Sequence, residues 1–583
     1  MRRPPSVFQR WLLPSVTRTL AAGFLAAGCY SAGDGISPPG DRVYFPVGLA
    51  LTNEGKYLAV VNSDFDLQYN AGTLQVLEVE RLRDFVPQPC EADSDCGGAR
   101  VCDRPLSESD TGEHSYMCVD NVGDGPCGAL GERHPADRLL YPGRCEYLDP
   151  AHPPLGRPVQ TSHVEIGAFA TDAVYQERPA TEEAANNGST GRLFIPVRGD
   201  ATLHWAEITP EGEVDCGQQF NHGACDGAHR AGDDPDQENS RDLRMDPEPF
   251  GVASDALGQA VLVTNQTTGR VSMFRNKWGG DGDLELQFEV TGLPLRPIGV
   301  AALPPPAVSS VMNFKPAERE ADPNAVQREP YSPGFLVTFR NASEIDLIRY
   351  YPDALADPDR PYASRVNAVP ITVNSLGVDS RGIAIDDASR VARELQCAND
   401  AGVAELSFGC KQSDTACSEQ ERSYIACLRG VASTSLDVFV ANRTPSSLLV
   451  GRTTPLENAL QSSELPAFYD TISLSQGPSR VVVGNVIDWS AAHEPELQKR
   501  VFVSCFDSRR VYVYDPVRRR IDVEIATGRG PHALAVDEAH GLLFVGHFTD
   551  SFIGVVSLDR RFSHTYGKTL ATVGQPSAPR ASK

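Results

Sequence analysis

Short apolar runs dominate the hydrophobic pattern of the 583-residue chain. Most runs span about four to eight residues and are bounded by glycine, proline and other turn-forming residues. Such segments are typical of short β-strands, whereas an amphipathic helix needs apolar positions every three to four residues over a longer stretch. The pattern therefore predicts a mostly β protein.

One unit of this pattern recurs along the chain. The segments PVGLALTNEGKYLAVVN (46–62), PFGVASDALGQAVLVTN (249–265) and PHALAVDEAHGLLFVGH (531–547) each have Ala four residues after a proline and Asn or His sixteen residues after it. Four incomplete copies begin at IGAFATD (166–172), PIGVA (297–301), SRGIAIDD (380–387) and PSRVVVG (478–484). Together they make seven copies, each long enough for four short strands.

Radially repeated antiparallel sheets are the architecture that such copies favour. The sequence thus predicts an all-β fold, a seven-bladed β-propeller of four-stranded antiparallel blades. The copies resemble the YVTN propeller repeat, in which a Pro, an apolar residue, an Ala, a glycine turn and an apolar run ending near Asn precede a further strand. This resemblance covers about residues 43–576 outside the insertions. It implies the propeller fold, which lactonases and periplasmic oxidoreductases share.

The length in excess of seven blades falls in insertions. Within a propeller domain over 43–583, they lie at about residues 81–160, 208–246, 302–333 and 388–434. In an antiparallel blade, the turns after the first and third strands lie at the same end. Because the insertions follow first or third strands, we expect them on one face of the ring. The opposite face would then have tight loops around the mouth of the central channel.

The N-terminus has the features of an export signal. Arginines precede a short uncharged run that ends in LAAGC at Cys29, and this run is too short to span a bilayer as a helix. It resembles the lipobox of bacterial lipoproteins, which implies a signal peptide over 1–28, a lipidated Cys29 and a flexible tether over 29–42. Ordinary signal cleavage is the alternative. Tyr30 replaces the Asp that retains many Gram-negative lipoproteins at the inner membrane, which favours the outer membrane.

Most of the thirteen cysteines after Cys29 fall in local groups of even number. This grouping is typical of disulfides formed in an oxidising compartment. The predicted disulfide cysteines are Cys90, Cys96, Cys102, Cys118, Cys127, Cys145, Cys216, Cys225, Cys397, Cys410, Cys417 and Cys427. No paired CxxC spacing and no CxxCH motif occurs, so neither zinc nor c-type haem is expected. Cys505 stands alone, and we expect a small buried free thiol there rather than a nucleophile.

The charge of the chain disfavours one class of partner. It has 53 Lys and Arg against 77 Asp and Glu, a formal net charge of −24, which repels nucleic acids and anionic membrane surfaces. We therefore expect no nucleic-acid partner, and membrane contact only through the N-terminal lipid anchor. The expected state is a monomer whose partner would be an envelope protein or a glycan.

Three histidines fall within the last copy of the repeat. His532 opens its first strand and His547 ends its second strand, so both belong to the tight-loop end. His540 lies in the turn at the opposite end, and the three cannot converge on one metal ion. His532 and His547 are candidates for ligand binding at the channel mouth, and ordinary turn capping is the alternative.

Three arginines occupy related positions in other copies. Arg296, Arg381 and Arg480 lie at or beside the starts of first strands, so we predict that they ring the channel mouth. Such a ring would hold an anionic ligand. The alternative is that each arginine pairs with a nearby carboxylate of this acidic protein.

No sequence motif indicates catalysis. The chain has no GxSxG elbow and no phosphate-binding glycine loop, and no spacing nominates a catalytic pair among its 77 acidic residues. We expect no catalytic residue, no metal and no cofactor, and interpret the chain as a cell-envelope binding scaffold, leaving enzymatic activity open. One alternative is a lactonase-like hydrolase or isomerase, which would need acidic, Arg and His residues at one channel mouth. The other is a metal- or cofactor-dependent periplasmic redox protein, with histidines converging from several blades.

Overall fold

The chain folds into a seven-bladed β-propeller, as the repeat predicts. The computed structural model describes residues 35–97, 100–103, 116–119, 127–133, 143, 145–179, 188–221, 223–233, 243–278, 284–304, 332–351, 365–373, 377–403, 417–432, 434–454, 465–489 and 495–577. In this part of the chain, each blade is an antiparallel sheet of strands that follow one another in sequence. The seven copies read from the sequence are therefore the seven blades. The segment 166–172 is wrong as the first strand of blade 2, because Gln160–Ile166 is the last strand of blade 1 and the first strand of blade 2 is Val174–Glu177.

Blades 1 to 4 contain the first nineteen strands. Blade 1 consists of β1 (Pro46–Thr52), β2 (Tyr57–Asn62), β3 (Gly72–Glu78), an insertion with α1 (Val79–Arg83), β4 (Val101–Asp103) and β5 (Met117–Val119), and β6 (Gln160–Ile166). Blade 2 consists of β7 (Val174–Glu177), β8 (Gly191–Val197), β9 (Thr202–Ile208), β10 (Val214–Asp215) and β11 (Arg230–Ala231). Blade 3 consists of β12 (Pro249–Ser254), β13 (Ala260–Asn265), β14 (Arg270–Asn276) and β15 (Leu284–Val290). Blade 4 consists of β16 (Pro297–Ala302), β17 (Gly334–Phe339), β18 (Glu344–Tyr351) and β19 (Arg365–Thr372).

Blades 5 to 7 complete the ring. Blade 5 consists of β20 (Val378–Asp386), an insertion with α2 (Ala388–Ala401) and α3 (Glu419–Ala432), β21 (Asp437–Thr444), β22 (Ser446–Thr454) and β23 (Leu465–Ser473). Blade 6 consists of β24 (Pro478–Trp489), β25 (Pro495–Cys505), β26 (Arg510–Asp515) and β27 (Arg520–Ala526). Blade 7 consists of β28 (Pro531–Asp537), β29 (Leu542–His547), β30 (Phe552–Ser557) and β31 (Thr569–Val573).

The core consists of layers between neighbouring blades. Successive side chains of a strand point to opposite faces of its sheet, and both faces of a blade pack against other blades. Inner strands are therefore apolar almost throughout; every residue of β8, GRLFIPV, is buried. Between blades 1 and 2, for example, Val61 and Val76 share a buried cluster with Leu193 and Ile195.

The ring closes between blades 7 and 1. Val60 packs with Phe544 and Val555 in one buried cluster. Part of the blade 1 insertion adds to the outer edge of blade 7, because the Leu148 amide donates to the Thr572 carbonyl at 2.8 Å. The insertion thus fastens the two ends of the ring together.

The large insertions follow the expected strands, with one exception. The six-cysteine segment follows β3, the four-cysteine segment follows β20, and the blade 4 insertion follows β16, all at the same end of their blades. The Cys216–Cys225 loop instead interrupts the outermost strand of blade 2, because β10 and β11 pair with opposite ends of β9. It lies on the rim beside blade 1, where the Cys225 amide donates to the Glu165 carbonyl at 3.0 Å.

The blade 5 insertion contains two helices that the sequence interpretation did not predict. A disulfide between Cys397 of α2 and Cys427 of α3 joins them, and Cys397, Tyr424 and Leu428 share a small buried cluster. Val391 and Leu395 of α2 are exposed, so the apolar positions of this helix do not form one buried stripe. Among the described residues, no helix is both long and apolar enough to cross a bilayer.

The described cysteines are disulfide-bonded apart from Cys505. The pairs are Cys90–Cys102, Cys96–Cys118, Cys127–Cys145, Cys216–Cys225 and Cys397–Cys427, and Cys417 is also bonded. Cys29 and Cys410 lie outside the described residues, as do the signal segment 1–28 and part of the tether. Cys505 is a buried free thiol, and burial raises its pKa to about 12.

Candidate functional site

The central channel opens at its tight-loop end into a cavity of about 570 Å³. Its walls are first strands, chiefly β16, β20 and β24, and its rim consists of turns between second and third strands. Small-molecule sites typically have about 300–1,000 Å³. The cavity is therefore of the size that holds one small organic molecule.

The first strands crowd together at this mouth. A Cβ atom on Gly299 would lie 2.7 Å from the Arg381 carbonyl oxygen, and one on Gly382 would lie 2.4 Å from the Ser479 carbonyl oxygen. Such distances are too short for any side chain, so glycine is needed at these two residues. In blades 2 and 6 the same position holds Asp172 and Arg480, which reach across the channel instead.

Asp172 and Arg480 form an ion pair across the channel. Arg480 Nη1 donates to Asp172 Oδ2 at 2.7 Å, which joins blade 6 to blade 2. Asp172 also accepts a hydrogen bond from the Ala173 amide at 2.9 Å. Its side chain is 6% exposed, whereas that of Arg480 is 35% exposed. Asp172 is therefore fixed in the wall and holds Arg480 at the cavity.

Three further arginines meet beside the cavity, on the side formed by blades 4 to 6. Arg340 Nε and Arg381 Nε donate to Asp379 at 3.1 and 2.9 Å, and Arg443 Nη2 lies 3.0 Å from Asp507 Oδ2. Burial alone would raise the pKa of Asp379, but the hydrogen bond and charge of Arg381 hold it below its usual value. Burial and the neighbouring Arg381 lower the pKa of Arg443. Three guanidinium groups against two carboxylates leave an excess of one positive charge.

Phenylalanines form the opposite side of the mouth. Phe65 lies with its ring centroid 5.1 Å from that of Phe548 and 6.0 Å from that of Phe169, and Phe548 lies 6.1 Å from Phe506. Tilted and edge-on contacts of this kind are the usual packing of aromatic rings. Phe65 is nevertheless 50% exposed. The rings thus offer an apolar surface that the protein itself does not cover.

His532 lies at the cavity beside the cross-channel pair. Its ring centroid is 6.5 Å from that of Phe506. Burial lowers the pKa of His532 to about 4, with Arg480 adding to the effect and Asp172 opposing it. The imidazole is therefore neutral at neutral pH.

The structure brings together three of the five residues predicted at the mouth. Arg381, Arg480 and His532 line the cavity, whereas Arg296 and His547 are not among its lining residues. Arg296 is exposed to solvent because it precedes β16, whereas Arg381 and Arg480 lie within β20 and β24. His547 is buried inside blade 7, where its ring stacks on Phe552 at 4.0 Å and burial lowers its pKa to about 3.

The interpretation of the sequence missed one position of the repeat. The residue directly after Asn442, Cys505 or His547 lines the cavity, and these residues are Arg443, Phe506 and Phe548. The corresponding residue after Val197 in blade 2 is Arg198, which also lines the cavity and pairs with Glu248 at 2.6 Å. Extending the alignment of the copies by one residue would have found all four.

Two other interpretations of the sequence agree with the structure: the arginines pair with carboxylates, and one histidine of the last copy lies in a turn. The four arginines that line the cavity each have a carboxylate partner. His540 lies in the turn before β29 and pairs with Asp537 at 2.7 Å. Within the described residues, the one trio of potential metal ligands is Cys90, Cys96 and Cys118, and its sulfur atoms are held in disulfides.

Comparison with known proteins adds three distant structural similarities. No protein-family model and no curated protein matches the chain. The chain is similar to a putative 6-phosphogluconolactonase from Bacteroides uniformis, at 10% identity and a TM-score of 0.37 over 83% of this chain and 86% of that one. It is similar to the periplasmic gluconolactonase PpgL of Pseudomonas aeruginosa, at 10% identity and a TM-score of 0.35 over 83% and 86%. It is also similar to the hydrazine synthase of Kuenenia stuttgartiensis, at 8% identity and a TM-score of 0.39 over 91% and 100%. The assignment of the fold rests on the sheet topology of the chain itself.

Proposed function

We propose that the protein is a binding scaffold of the cell envelope, and that it holds a small molecule in the cavity at the tight-loop mouth. The cavity is the observation that carries this proposal. It combines space for one ligand with Arg443 and Arg480 on one side and Phe65 and Phe548 on the other. A largely apolar lining with a few charged groups is typical of ligand pockets.

The paired state of the acidic groups favours binding over catalysis. Asp172 and Asp507, the carboxylates that line the cavity, are both in ion pairs with arginines. A general acid or base must be within reach of the proton that it transfers, and here each carboxylate is already engaged by a guanidinium group. These carboxylates therefore orient the arginines.

The disulfides and the N-terminal sequence support a place outside the cytoplasm. Disulfides persist in oxidising compartments, and five pairs are described here. The LAAGC segment at Cys29 resembles a lipobox, so we propose a lipid anchor in the outer membrane of a Gram-negative bacterium. Metabolic labelling with an alkynyl fatty acid tests the anchor. We expect label on the full chain and none on Cys29→Ala, and an unlabelled parent protein would contradict the anchor.

Retention of small molecules tests the binding function. The full chain is equilibrated with a small-molecule extract of its host, washed and analysed by mass spectrometry. A cavity variant, Phe65→Ala with Arg443→Gln, is compared with a matched control, Leu67→Ala with Arg296→Gln, whose exposed residues lie outside the lining. We expect at least one species that the parent and control retain and the cavity variant loses. Identical retention by all three proteins would contradict the proposal.

A lactonase-like hydrolase is the second candidate, because the mouth brings Asp172, Arg480 and His532 together. An acidic, an Arg and a His residue at one mouth are what this class of reaction would need. His532 is neutral at neutral pH and has the capacity to accept a proton. Turnover of a lactone panel that is lost in His532→Gln would support this candidate, and no turnover above buffer would rule it out.

A further inference from the structure

We infer, on the basis of the proposed function, that the ligand is an organic monoanion with an apolar body of aromatic size, and that Arg443 binds its anionic group. The two sides of the mouth differ in chemistry: cations exceed carboxylates at blades 4 to 6, and phenylalanines line the mouth at blades 6, 7, 1 and 2. A ligand that satisfies both sides carries one negative charge at one end and apolar surface at the other.

The charge balance identifies a monoanion. Arg340 and Arg381 share Asp379, while Arg443 pairs with Asp507, so that one positive charge is in excess. A single carboxylate, sulfonate or similar group neutralises this excess. A dianion would leave an unpaired negative charge in a partly buried site, which is unfavourable.

Arg443 has the free donors for that anion. The guanidinium of Arg381 is occupied, because its Nε and Nη2 donate to the two oxygens of Asp379 at 2.9 and 3.1 Å. Arg480 is held by the fixed Asp172. Arg198 also has an unpartnered Nε, but it belongs to a charge-balanced pair with Glu248 outside the cluster of excess positive charge. Arg443 instead contacts one oxygen of Asp507, whose side chain is half exposed, and its buried Nε has no partner. The Arg443 side chain lines the cavity and is 18% exposed, so its guanidinium is within reach of an anion there.

The other polar groups of the lining argue against a sugar acid. A polyhydroxylated ligand needs many hydrogen-bond partners, and phenylalanine offers none. The Thr171 hydroxyl already donates to the Phe250 carbonyl at 2.8 Å, and the hydroxyls of Ser479 and Ser504 lie 3.1 Å apart. The half-exposed ring of Phe65, adjoining Phe548, is suited to a flat apolar body.

Isothermal titration calorimetry with four probes tests the ligand class. Naphthalene-2-carboxylate has both the anionic group and the apolar aromatic body, and naphthalene-2-carboxamide has the aromatic body without the charge. Acetate has the anionic group without the aromatic body, and gluconate joins the anionic group to a hydroxylated chain. The full chain is compared with Arg443→Gln and Phe65→Ala. Arg296→Gln and Leu67→Ala are the matched controls, and thermal unfolding verifies that each variant is folded.

We expect the naphthalene carboxylate to bind with one-to-one stoichiometry and more tightly than the other three probes. A charge-assisted hydrogen bond corresponds to roughly tenfold or more in affinity, so Arg443→Gln should weaken carboxylate binding by at least about that factor. The same change should alter carboxamide binding by less than about twofold. Phe65→Ala should weaken both naphthalene probes about fivefold, and the two controls should leave both unchanged.

Three results would overturn this inference. They are equal binding of carboxamide and carboxylate, tighter binding of gluconate, and an effect of Arg443→Gln no larger than that of Arg296→Gln. Gluconate binding that is lost in the cavity variants would reject the ligand class and leave the mouth as the binding site. If no probe binds, the ligand class is also rejected, whereas the binding function itself fails only if retention from the extract does not depend on the mouth.

Discussion

Two regions of the molecule place arginine beside aromatic rings, and they differ in how completely the protein surrounds the guanidinium. Between blades 2 and 3, Arg192 is 2% exposed and lies 4.4 Å from the ring of Trp205 and 5.1 Å from that of Trp278. It donates to Asn276 Oδ1 at 2.6 Å and to Glu207 Oε1 at 3.1 Å. At the channel mouth, the arginines have carboxylate partners but face open space.

The difference separates a structural role from a binding role. The surroundings of Arg192 are complete, so its interactions contribute to holding blades 2 and 3 together and leave no room for a ligand. At the mouth, Arg443 retains an unpartnered Nε and Phe65 retains an exposed face. The same residue types therefore stabilise the fold in one place and, in our proposal, bind a ligand in the other.

The largest effect on the free energy of unfolding should come from replacing Arg192, whose guanidinium the protein surrounds between blades 2 and 3. Arg192→Leu removes a buried cation and leaves Glu207 with Arg178 as its remaining ion-pair partner among the described residues. Loss of one member of a buried pair costs about 3 kcal/mol or more of the free energy of unfolding. We expect a clear fall in the urea midpoint, whereas Arg443→Gln should cost less than about 1 kcal/mol. Equal losses for the two variants would remove the distinction between the regions.

A second prediction concerns the charge balance at the mouth. The arginine of the cross-channel pair lowers the pKa of His532 and Asp172 raises it, in addition to the larger effect of burial. Arg480→Gln should therefore raise this pKa from about 4, and Asp172→Asn should lower it. A titration of the histidine ring protons by NMR measures both changes, with buried His547 as the internal control. A shift of His547 equal to that of His532 would indicate a general loosening of the fold instead.

The same pKa fixes the sign of a pH effect on stability. An unperturbed histidine has a pKa of about 6.5, so folding favours the neutral form of His532. Its contribution to stability is present above pH 6.5 and is lost as the pH falls toward 4. Arg480→Gln should reduce this loss, because the folded-state pKa then lies closer to the unfolded one.

The sequence predicts the fold well because each blade repeats one local pattern. The register that starts at Pro46, Pro249 and Pro531 gives both the blade number and the strand order. The α2 and α3 helices were missed because they lie in an insertion outside the repeat. Such segments have no counterpart in the other blades, so the repeat does not predict their secondary structure.

Only part of the candidate site could be predicted from the sequence, and the reason differs from that for the fold. Arg381, Arg480 and His532 lie in the repeat register, so their place at the mouth follows from it. Asp172 is separated from Arg480 by 308 residues, and no local pattern reveals that pair. Phe65 lies in a long turn between β2 and β3 whose length is not shared by the other copies. Closure of the ring, which no single blade encodes, is what brings these groups together.

A smaller effect should distinguish the two regions by their response to an added anion. Sodium benzoate is a small aromatic monocarboxylate, and at ten times its dissociation constant it should stabilise the folded protein by about 1.4 kcal/mol. The increase in melting temperature should persist in Arg192→Leu, whose change lies away from the cavity, and disappear in Arg443→Gln. A benzoate effect that is the same in all three proteins would be nonspecific and would contradict a built anion site at the mouth.

The location of binding is the most direct test of the central claim, and hydrogen–deuterium exchange measures it without any substitution. Exchange is compared for the full chain with and without naphthalene-2-carboxylate. We expect slower exchange in the turns 63–71, 506–509 and 548–551 and at the end of β21, with no change in α2 and α3. Protection confined to the insertion face, or no protection while calorimetry reports binding, would contradict the assignment of the ligand site to the tight-loop mouth.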